Sequence, residues 1–183
     1  MPASEASAYG FIAANAVART VEAYLPDADI RIKWPNDVQI SGAKVSGILL
    51  ETGVVEGRLW LAVGIGINLI NAPADVGYPV TNIAGHIDSD DPEDIPQPMA
   101  ALAVLADRFA KGEQQYRIEG FAPVRKDWLS RAAGLGQTVS ASAPGGKVVG
   151  TLKGLSLKGE LQVRLPDGRD TLISSGEVFL GPQ

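Results

Sequence analysis

Apolar residues recur at helical spacing in three parts of the chain. The first set lies within residues 7–24 and comprises Tyr9, Ile12, Ala13, Ala16, Val17 and Thr20. This period predicts a helix that ends at Pro26-Asp27. The same period returns in residues 99–110 and in residues 121–129, ahead of Ala133-Gly134. We therefore predict three helical segments, two of them in the middle of the chain.

Other apolar residues follow a strand pattern. Strand-like segments occupy residues 30–34, 38–40, 45–55 and 58–67, and Glu56-Gly57 between the last two is a hairpin signal. These segments predict a meander of about four strands, mostly antiparallel. Residues 71–98 are rich in Asp and Pro, which predicts a long loop whose carboxylates are solvated.

After about Gly134 the strands become shorter and the turn signals more frequent. Strand patterns occupy residues 138–142, 147–152, 161–165 and 171–173, separated by Pro144-Gly145-Gly146, Lys158-Gly159 and Pro166-Asp167-Gly168. This arrangement predicts a small barrel. We accordingly divide the chain into one domain of residues 1–133 and a second of residues 134–183.

Composition and charge narrow the class of protein. The 183 residues carry a net charge of −5 with no Lys/Arg-dense run, so nucleic acid is not an expected partner. There is no cysteine, and the lone His86 cannot form a structural zinc site. No run of about 18 apolar residues occurs, and the first seven residues lack a basic signal-peptide region. We expect a cytoplasmic protein without a membrane partner.

The segment Lys33-Trp34-Pro35-Asn36-Asp37 places an amine, an amide and a carboxylate around a turn. Proline fixes φ where a strand ends, so the side chains of Asn36 and Asp37 are presented in a set direction. Taken one at a time, these residues are better explained as a core tryptophan, a turn and a solvated lysine.

A second amine follows seven residues after Asp37. Lys44 lies at the entry to a strand that returns beside the first one, and its point charge suits a phosphate or a carboxylate. Gly47 lowers the stability of an otherwise apolar strand, which is better explained if a ligand or a backbone approaches closely. Alone, Lys44 reads more simply as a surface lysine.

The segment Gly64-Ile65-Gly66-Ile67-Asn68 has two glycines with the period of a strand. Gly64 and Gly66 therefore leave one face bare, on which a flat ring could lie, and Asn68 offers both a donor and an acceptor. The third glycine and the following helix of a dinucleotide-binding fingerprint are missing. A bulge or a barrel corner explains the two glycines equally well.

Together these three segments resemble the motifs of the biotin protein ligases. That family carries a Lys-Trp-Pro-Asn-Asp turn, a Lys-x-x-Gly-Ile-Leu-x-Glu strand and a Gly-x-Gly-x-Asn strand, matched here by residues 33–37, 44–51 and 64–68. The resemblance implies an α+β fold of the class II synthetase/biotin ligase type, with a mostly antiparallel sheet and helices, followed by an SH3-like barrel.

The resemblance also implies an activity. In that family biotin is adenylated by ATP with release of pyrophosphate, and the biotinyl group passes to a lysine of a carrier domain. ATP, biotin and Mg²⁺ are then the expected small molecules, and a biotin carboxyl carrier protein domain is the expected partner. Both reacting groups are anions, so a positioned cation supplies the electrostatic stabilisation.

The family motifs assign roles to individual residues. Lys44, Asp37 and Lys33 are the expected catalytic group: Lys44 faces the carboxylate and phosphate, Asp37 orients or deprotonates the incoming amine, and Lys33 is a second cation or a support for the turn. The expected ATP-binding residues are Asn36, Gly64, Gly66 and Asn68. The expected biotin-binding residues are Lys44, Gly47, Ile48 and Leu49. No residue is expected to be a resident metal ligand.

Two parts of the family's active site are not found in this sequence. They are a Gly-Arg-rich loop that closes over the adenylate and upstream strands that bind the biotin ureido ring. We therefore expect a partial catalytic domain that binds ATP or biotin weakly, with a sheet edge open to pairing in a homodimer. A non-catalytic binding module is the alternative, and a lipoyl-type transferase a weaker one.

Overall fold

The computed structural model describes residues 5–89, 91–143 and 146–181. Three α-helices precede the C-terminal strands: α1 (Ala6–Tyr24), α2 (Pro98–Glu119) and α3 (Phe121–Ser130). The first four strands are β1 (Ile30–Lys33), β2 (Asp37–Ile40), β3 (Ala43–Val55) and β4 (Arg58–Ile67). The last five are β5 (Thr138–Ala143), β6 (Gly146–Leu155), β7 (Leu161–Arg164), β8 (Asp170–Ile173) and β9 (Glu177–Leu180).

The first sheet has the predicted meander. Its strand order is β1-β2-β3-β4, every neighbouring pair is antiparallel, and the β3–β4 hairpin turns at Glu56-Gly57. Partners across antiparallel strands share a face of the sheet. One face carries Val38 and Ile48 into the core beneath α1, whose twelve buried residues form its inner side. The other face carries Asp37, Gly47 and Gly66.

The second sheet contains one strand more than the sequence predicts. Its order is β8-β7-β6-β5-β9, all antiparallel, and β9 pairs with β5. The prediction missed β9, a four-residue strand with one buried residue, Val178, because so short a segment has no clear period. Among the described residues no ladder joins β8 to β9. Part of the predicted turn at Pro144-Gly145 lies outside the described residues.

The two sheets contact each other through the Trp-Pro turn and α1. The indole Nε1 of Trp34 donates to the carbonyl of Gly159 at 3.3 Å, and the ring of Phe11 lies against the same glycine. Arg125 of α3 donates Nε to the carbonyl of Leu155 at 2.8 Å. A turn of the second sheet is thus fixed beside the residues that follow β1.

An ion-pair cluster holds the connection between α3 and the second sheet. Arg131 contacts Glu22 of α1 and Asp127 of α3, each at 2.6 Å, and its hydrogen bond to Glu22 raises the pKa of the guanidinium. The carbonyl of Arg131 accepts from the N–H of Ile32 at 2.8 Å, which attaches this connection to the edge of β1. In the described part of the chain, no helix combines the length and the hydropathy required to cross a bilayer.

Candidate functional site

The turn after β1 is tied to the middle of β3 by an asparagine. Asn36 donates Nδ2 to the carbonyl of Ile48 at 2.8 Å, and the N–H of Ile48 donates to the carbonyl of Asn36 at 3.0 Å. The turn therefore continues the ladder between β2 and β3. Asp37, the first residue of β2, is fixed at the sheet surface as a result.

An irregularity in the β2–β3 ladder brings Lys44 to the same face as Asp37. Gln39 pairs with Lys44 and Val38 with Ser46, so Val45 is an extra residue on β3. Without this bulge Lys44 and Gly47, three positions apart, would point to opposite faces. The Nζ of Lys44 lies 2.6 Å from Oδ1 of Asp37, and the two side chains are 27% and 18% exposed.

Gly47 provides the space for this ion pair. A Cβ built on Gly47 would lie 3.2 Å from both Cε and Nζ of Lys44 and 3.8 Å from Oδ1 of Asp37. The sequence predicted a ligand or a backbone at this glycine, whereas the structure places the Lys44 side chain there. A side chain at this position would require the end of the Lys44 side chain to shift by a few tenths of an ångström.

Beside the ion pair the sheet surface is bare. Gly66 is the register partner of Gly47, and a Cβ built on it would meet nothing within 4 Å. Gly64, two residues earlier, is partner to Leu49, which is 60% exposed. The patch without side chains at Gly64 and Gly66 adjoins Lys44 and Asp37, and the exposed Leu49 borders it.

Asn68 and residues 78–83 border the other side of Lys44. Asn68 donates Nδ2 to the carbonyl of Thr81 at 2.8 Å, and the Lys44 ammonium lies 5.5 Å from the ring centroid of Tyr78. Sequence reasoning missed Tyr78, since it lies in a segment predicted to be loop. An aromatic residue within an acidic, proline-rich loop was the available signal.

Lys33 and Ile48 have other surroundings. The Lys33 ammonium lies 5.5 Å from the ring centroid of Phe179 in β9, so its observed contact is with the second sheet. The Ile48 side chain is 3% exposed and belongs to the core. Asn36, Ile48 and Leu49 nevertheless border a cavity of about 870 Å³ between α1, the Trp-Pro turn and the second sheet.

Both ends of the chain match family models. Residues 1–68 match the model of the biotin/lipoate A/B protein ligase family, and residues 134–181 match the biotin protein ligase C terminal domain. A biotin–acetyl-CoA-carboxylase ligase of Paracoccus denitrificans is 41% identical over 164 residues, which are 85% of this chain and 65% of that protein. The bifunctional ligase/repressor BirA of Bacillus subtilis is 32% identical over 82% of this chain and 46% of the length of BirA.

Solved structures give the same result. The biotin protein ligase of Aquifex aeolicus in complex with biotin and ATP aligns with a TM-score of 0.79 and 25% identity over 97% of this chain and 72% of that one. Its apo structure aligns with a TM-score of 0.78 and 26% identity over 97% of this chain and 76% of that one. Fold and family models thus define the class of protein, which is the biotin/lipoate protein ligase family. Within that class, the chain belongs to the biotin protein ligase family. It spans 46% to 65% of the length of four curated relatives that it matches.

Proposed function

We propose that this chain serves ATP-dependent attachment of biotin to a carrier-domain lysine. The observation that carries the proposal is the Lys44–Asp37 ion pair at 2.6 Å beside the bare surface of Gly64 and Gly66. The first reaction joins two anions and requires a cation, and the second involves an amine that must lose a proton and requires a carboxylate. The flat surface accommodates the ring of the nucleotide. A relative named as a biotin ligase and a neighbour holding biotin and ATP support the proposal.

In the first step a biotin carboxylate oxygen attacks the α-phosphorus of ATP, and the bond to the pyrophosphate leaving group breaks. Lys44 stabilises the negative charge that both reactants bring together. An ammonium has three donors, so Lys44 can keep Asp37 and still donate to the carboxylate and the phosphate. Lys33 then supports the turn from the side of the second sheet, where it contacts Phe179.

In the second step the amine of the carrier lysine attacks the carbonyl carbon of the biotinyl adenylate. An amide bond forms, the bond to AMP breaks, and the amine loses a proton to Asp37. General base catalysis of this kind contributes about 10²- to 10⁴-fold in rate. Asp37 is placed for the task because the turn fixes it at the sheet surface.

The two asparagines would recognise the nucleotide through their oxygens. Asn36 and Asn68 each donate one Nδ2 hydrogen to a main-chain carbonyl at 2.8 Å, so Oδ1 and the second Nδ2 hydrogen are left for a ligand. The acceptor Oδ1 can pair with the exocyclic amine of adenine. Gly64 and Gly66 provide the surface for the ring, and Gly47, Ile48 and Leu49 provide one wall for biotin.

Magnesium would come with the nucleotide. In the described segments no group of three or more His, Cys, Asp or Glu side chains is placed to hold a metal ion. Magnesium commonly takes most of its ligands from substrate phosphates and water, with one or two carboxylates.

The remaining parts of the proposal concern partners and location. The carrier domain is the protein substrate, the location is cytoplasmic, and neither nucleic acid nor membrane takes part. A second copy of the chain could pair with β4, which in the described residues has β3 as its partner on one side. An apolar edge strand of ten residues is a surface on which another strand adds readily.

The test is calorimetric binding of ATP and biotin to the chain, followed by biotinylation of a carrier domain. Lys44→Ala should reduce the rate of ATP–pyrophosphate exchange about 10²-fold or more, because it removes the main cation of the site. Asp37→Asn should retain exchange and reduce transfer to the carrier lysine about 10²-fold. Lys126→Ala, an exposed lysine of α3, is the control.

Absence of binding for both ligands would contradict the proposal and favour the non-catalytic module. If Asp37→Asn reduced ATP–pyrophosphate exchange and transfer to the carrier lysine equally, Asp37 would not be the general base.

A further inference from the structure

We propose that residues 78–83 form a clamp that positions Lys44, with Tyr78 and Asn68 as its positioning residues. The catalytic consequence of this clamp rests on the proposed function, whereas the clamp itself does not. Three features hold Lys44: the bulge at Val45, the main-chain pairing of Lys44 with the clamp, and the ring of Tyr78 within the clamp.

The bulge directs the Lys44 side chain. Val45 has no register partner on β2, and its carbonyl instead accepts from the N–H of Asn68 at 2.8 Å. The end of β4 thus holds the irregularity that turns Lys44 toward Asp37. A strand without this bond could return to regular pairing and carry Lys44 to the opposite face.

The main chain of Lys44 is held on the side away from β2. Its N–H donates to the carbonyl of Pro79 and its carbonyl accepts from the N–H of Thr81, both at 2.9 Å, in a parallel bridge centred on Val80. Asn68 then donates Nδ2 to the carbonyl of Thr81 and accepts on its own carbonyl from the N–H of Ile83. Asn68 therefore joins the bulge to the clamp.

The ring of Tyr78 completes the clamp at the ammonium. Lys44 Nζ lies 2.6 Å from Oδ1 of Asp37 and 5.5 Å from the Tyr78 ring centroid. A lysine has a flexible four-carbon stem, so a charge at its end is poorly placed unless something restricts it. The contacts with a carboxylate and with an aromatic face together restrict the position of this charge. Tyr78 is itself 53% exposed, so its replacement leaves the core intact.

The first test measures the accessibility of the Lys44 amine and needs no enzymatic activity. The chain is acetylated with a limiting amine-reactive ester, and mass spectrometry gives the labelling of Lys44 relative to exposed Lys126. Tyr78→Leu should raise this ratio about two- to fivefold, the size of an exposed cation–π contact. Tyr78→Phe keeps the ring and should leave the ratio unchanged.

Asn68→Asp, which replaces the Nδ2 donor with an oxygen, should also raise Lys44 labelling. The role of the Tyr78 ring would be overturned if Tyr78→Leu had the labelling ratio of the wild type. It would also be overturned if Tyr78→Phe had the same labelling ratio as Tyr78→Leu. An unchanged ratio in Asn68→Asp would overturn the positioning role of Asn68.

The second test separates positioning from nucleotide contact. In ATP–pyrophosphate exchange, Tyr78→Leu should lower kcat two- to fivefold with KM for ATP unchanged, and Tyr78→Phe should restore kcat. A raised KM for ATP at unchanged kcat would make Tyr78 a nucleotide contact and overturn its positioning role. Absence of exchange in the unsubstituted chain would count against the proposed function, and the labelling ratios would still decide the clamp.

Discussion

Gly47 shows at the scale of a single residue why this strand contains a glycine. The position is conformationally ordinary for a strand, and its φ is not positive. What makes the position tight for a side chain is the end of Lys44, whose Cε and Nζ lie 3.2 Å from where a Cβ would be. The sequence indicated a close approach at Gly47, and only the structure shows that the approaching group is a side chain of the same strand.

Replacement of Gly47 and of Gly66 by alanine should have different effects. Gly47→Ala should displace the Lys44 ammonium and lower the rate of pyrophosphate exchange about tenfold or more, because the cation leaves its place beside Asp37. Gly66→Ala meets no protein atom within 4 Å, so it should leave Lys44 labelling unchanged and weaken ATP binding. Thermal unfolding should show a change within about 1 kcal/mol for both variants.

If Gly47→Ala had the Lys44 labelling and the pyrophosphate exchange rate of the wild type, the position of the Lys44 ammonium would not depend on the space at Gly47. Unchanged ATP binding in Gly66→Ala would place the nucleotide away from the bare surface.

At the scale of elements, α1 and α2 meet through an aromatic cluster beside the site. Tyr9 lies 5.9 Å from Tyr116 and 6.5 Å from Phe109, measured between ring centroids, and its hydroxyl donates to Glu113 at 3.3 Å. Burial, followed by the charge of Glu113, raises the pKa of Tyr9. Burial, followed by the charge of Glu5, raises the pKa of Tyr116.

These shifts predict an alkaline loss of stability. In the unfolded chain a tyrosine loses its proton near pH 10, whereas the folded chain keeps it to higher pH. The unfolded state therefore binds fewer protons above pH 10, and the free energy of unfolding falls as pH rises through that range. Tyr9→Phe keeps the ring but has no proton to lose, so its stability should fall less.

Urea unfolding at pH 7 and at several values between pH 9.5 and 11, at constant ionic strength, measures this difference. Parallel pH profiles for the two proteins would contradict it. Below pH 9 the two curves should differ only by the lost hydrogen bond to Glu113, about 1 kcal/mol.

At the scale of the whole molecule, the second sheet supports the turn that carries Asn36 and Asp37. Trp34 is the first residue of that turn, is 4% exposed, and donates to the carbonyl of Gly159. A Cβ on Gly159 would lie 2.5 Å from Cε2 of Phe11, and φ at this glycine is +82°. Gly168 has a similar φ of +85° in a turn of the same sheet, with nothing within 4 Å.

This pair of glycines provides a matched experiment on the contact between the sheets. Gly168→Ala should cost about 1–2 kcal/mol, the cost of a positive φ for an alanine. Gly159→Ala should cost that amount plus about 1–3 kcal/mol, because the Cβ also overpacks Phe11. Chemical denaturation measures both, and pyrophosphate exchange should fall only in Gly159→Ala. Equal losses of stability would show that the contact with Phe11 is not tight.

The sequence by itself determined the helices, the four-strand meander, the hairpin at Glu56-Gly57 and most of the second sheet. It also determined which residue types meet at the site. These features depend on periods and turn residues within short segments, where local sterics and burial of one face decide the outcome. For the same reason the resemblance to one family could be recognised from three short motifs.

Only the tertiary structure decided how those residues meet. The bulge at Val45 reverses the face of Lys44, and the partners that hold it, Asn68 and residues 78–83, are distant in the chain. The contact of Lys33 with Phe179 and the position of Gly159 beside Trp34 likewise join segments more than 100 residues apart. Such contacts depend on register and on packing between sheets, and neither is encoded in the period of one segment.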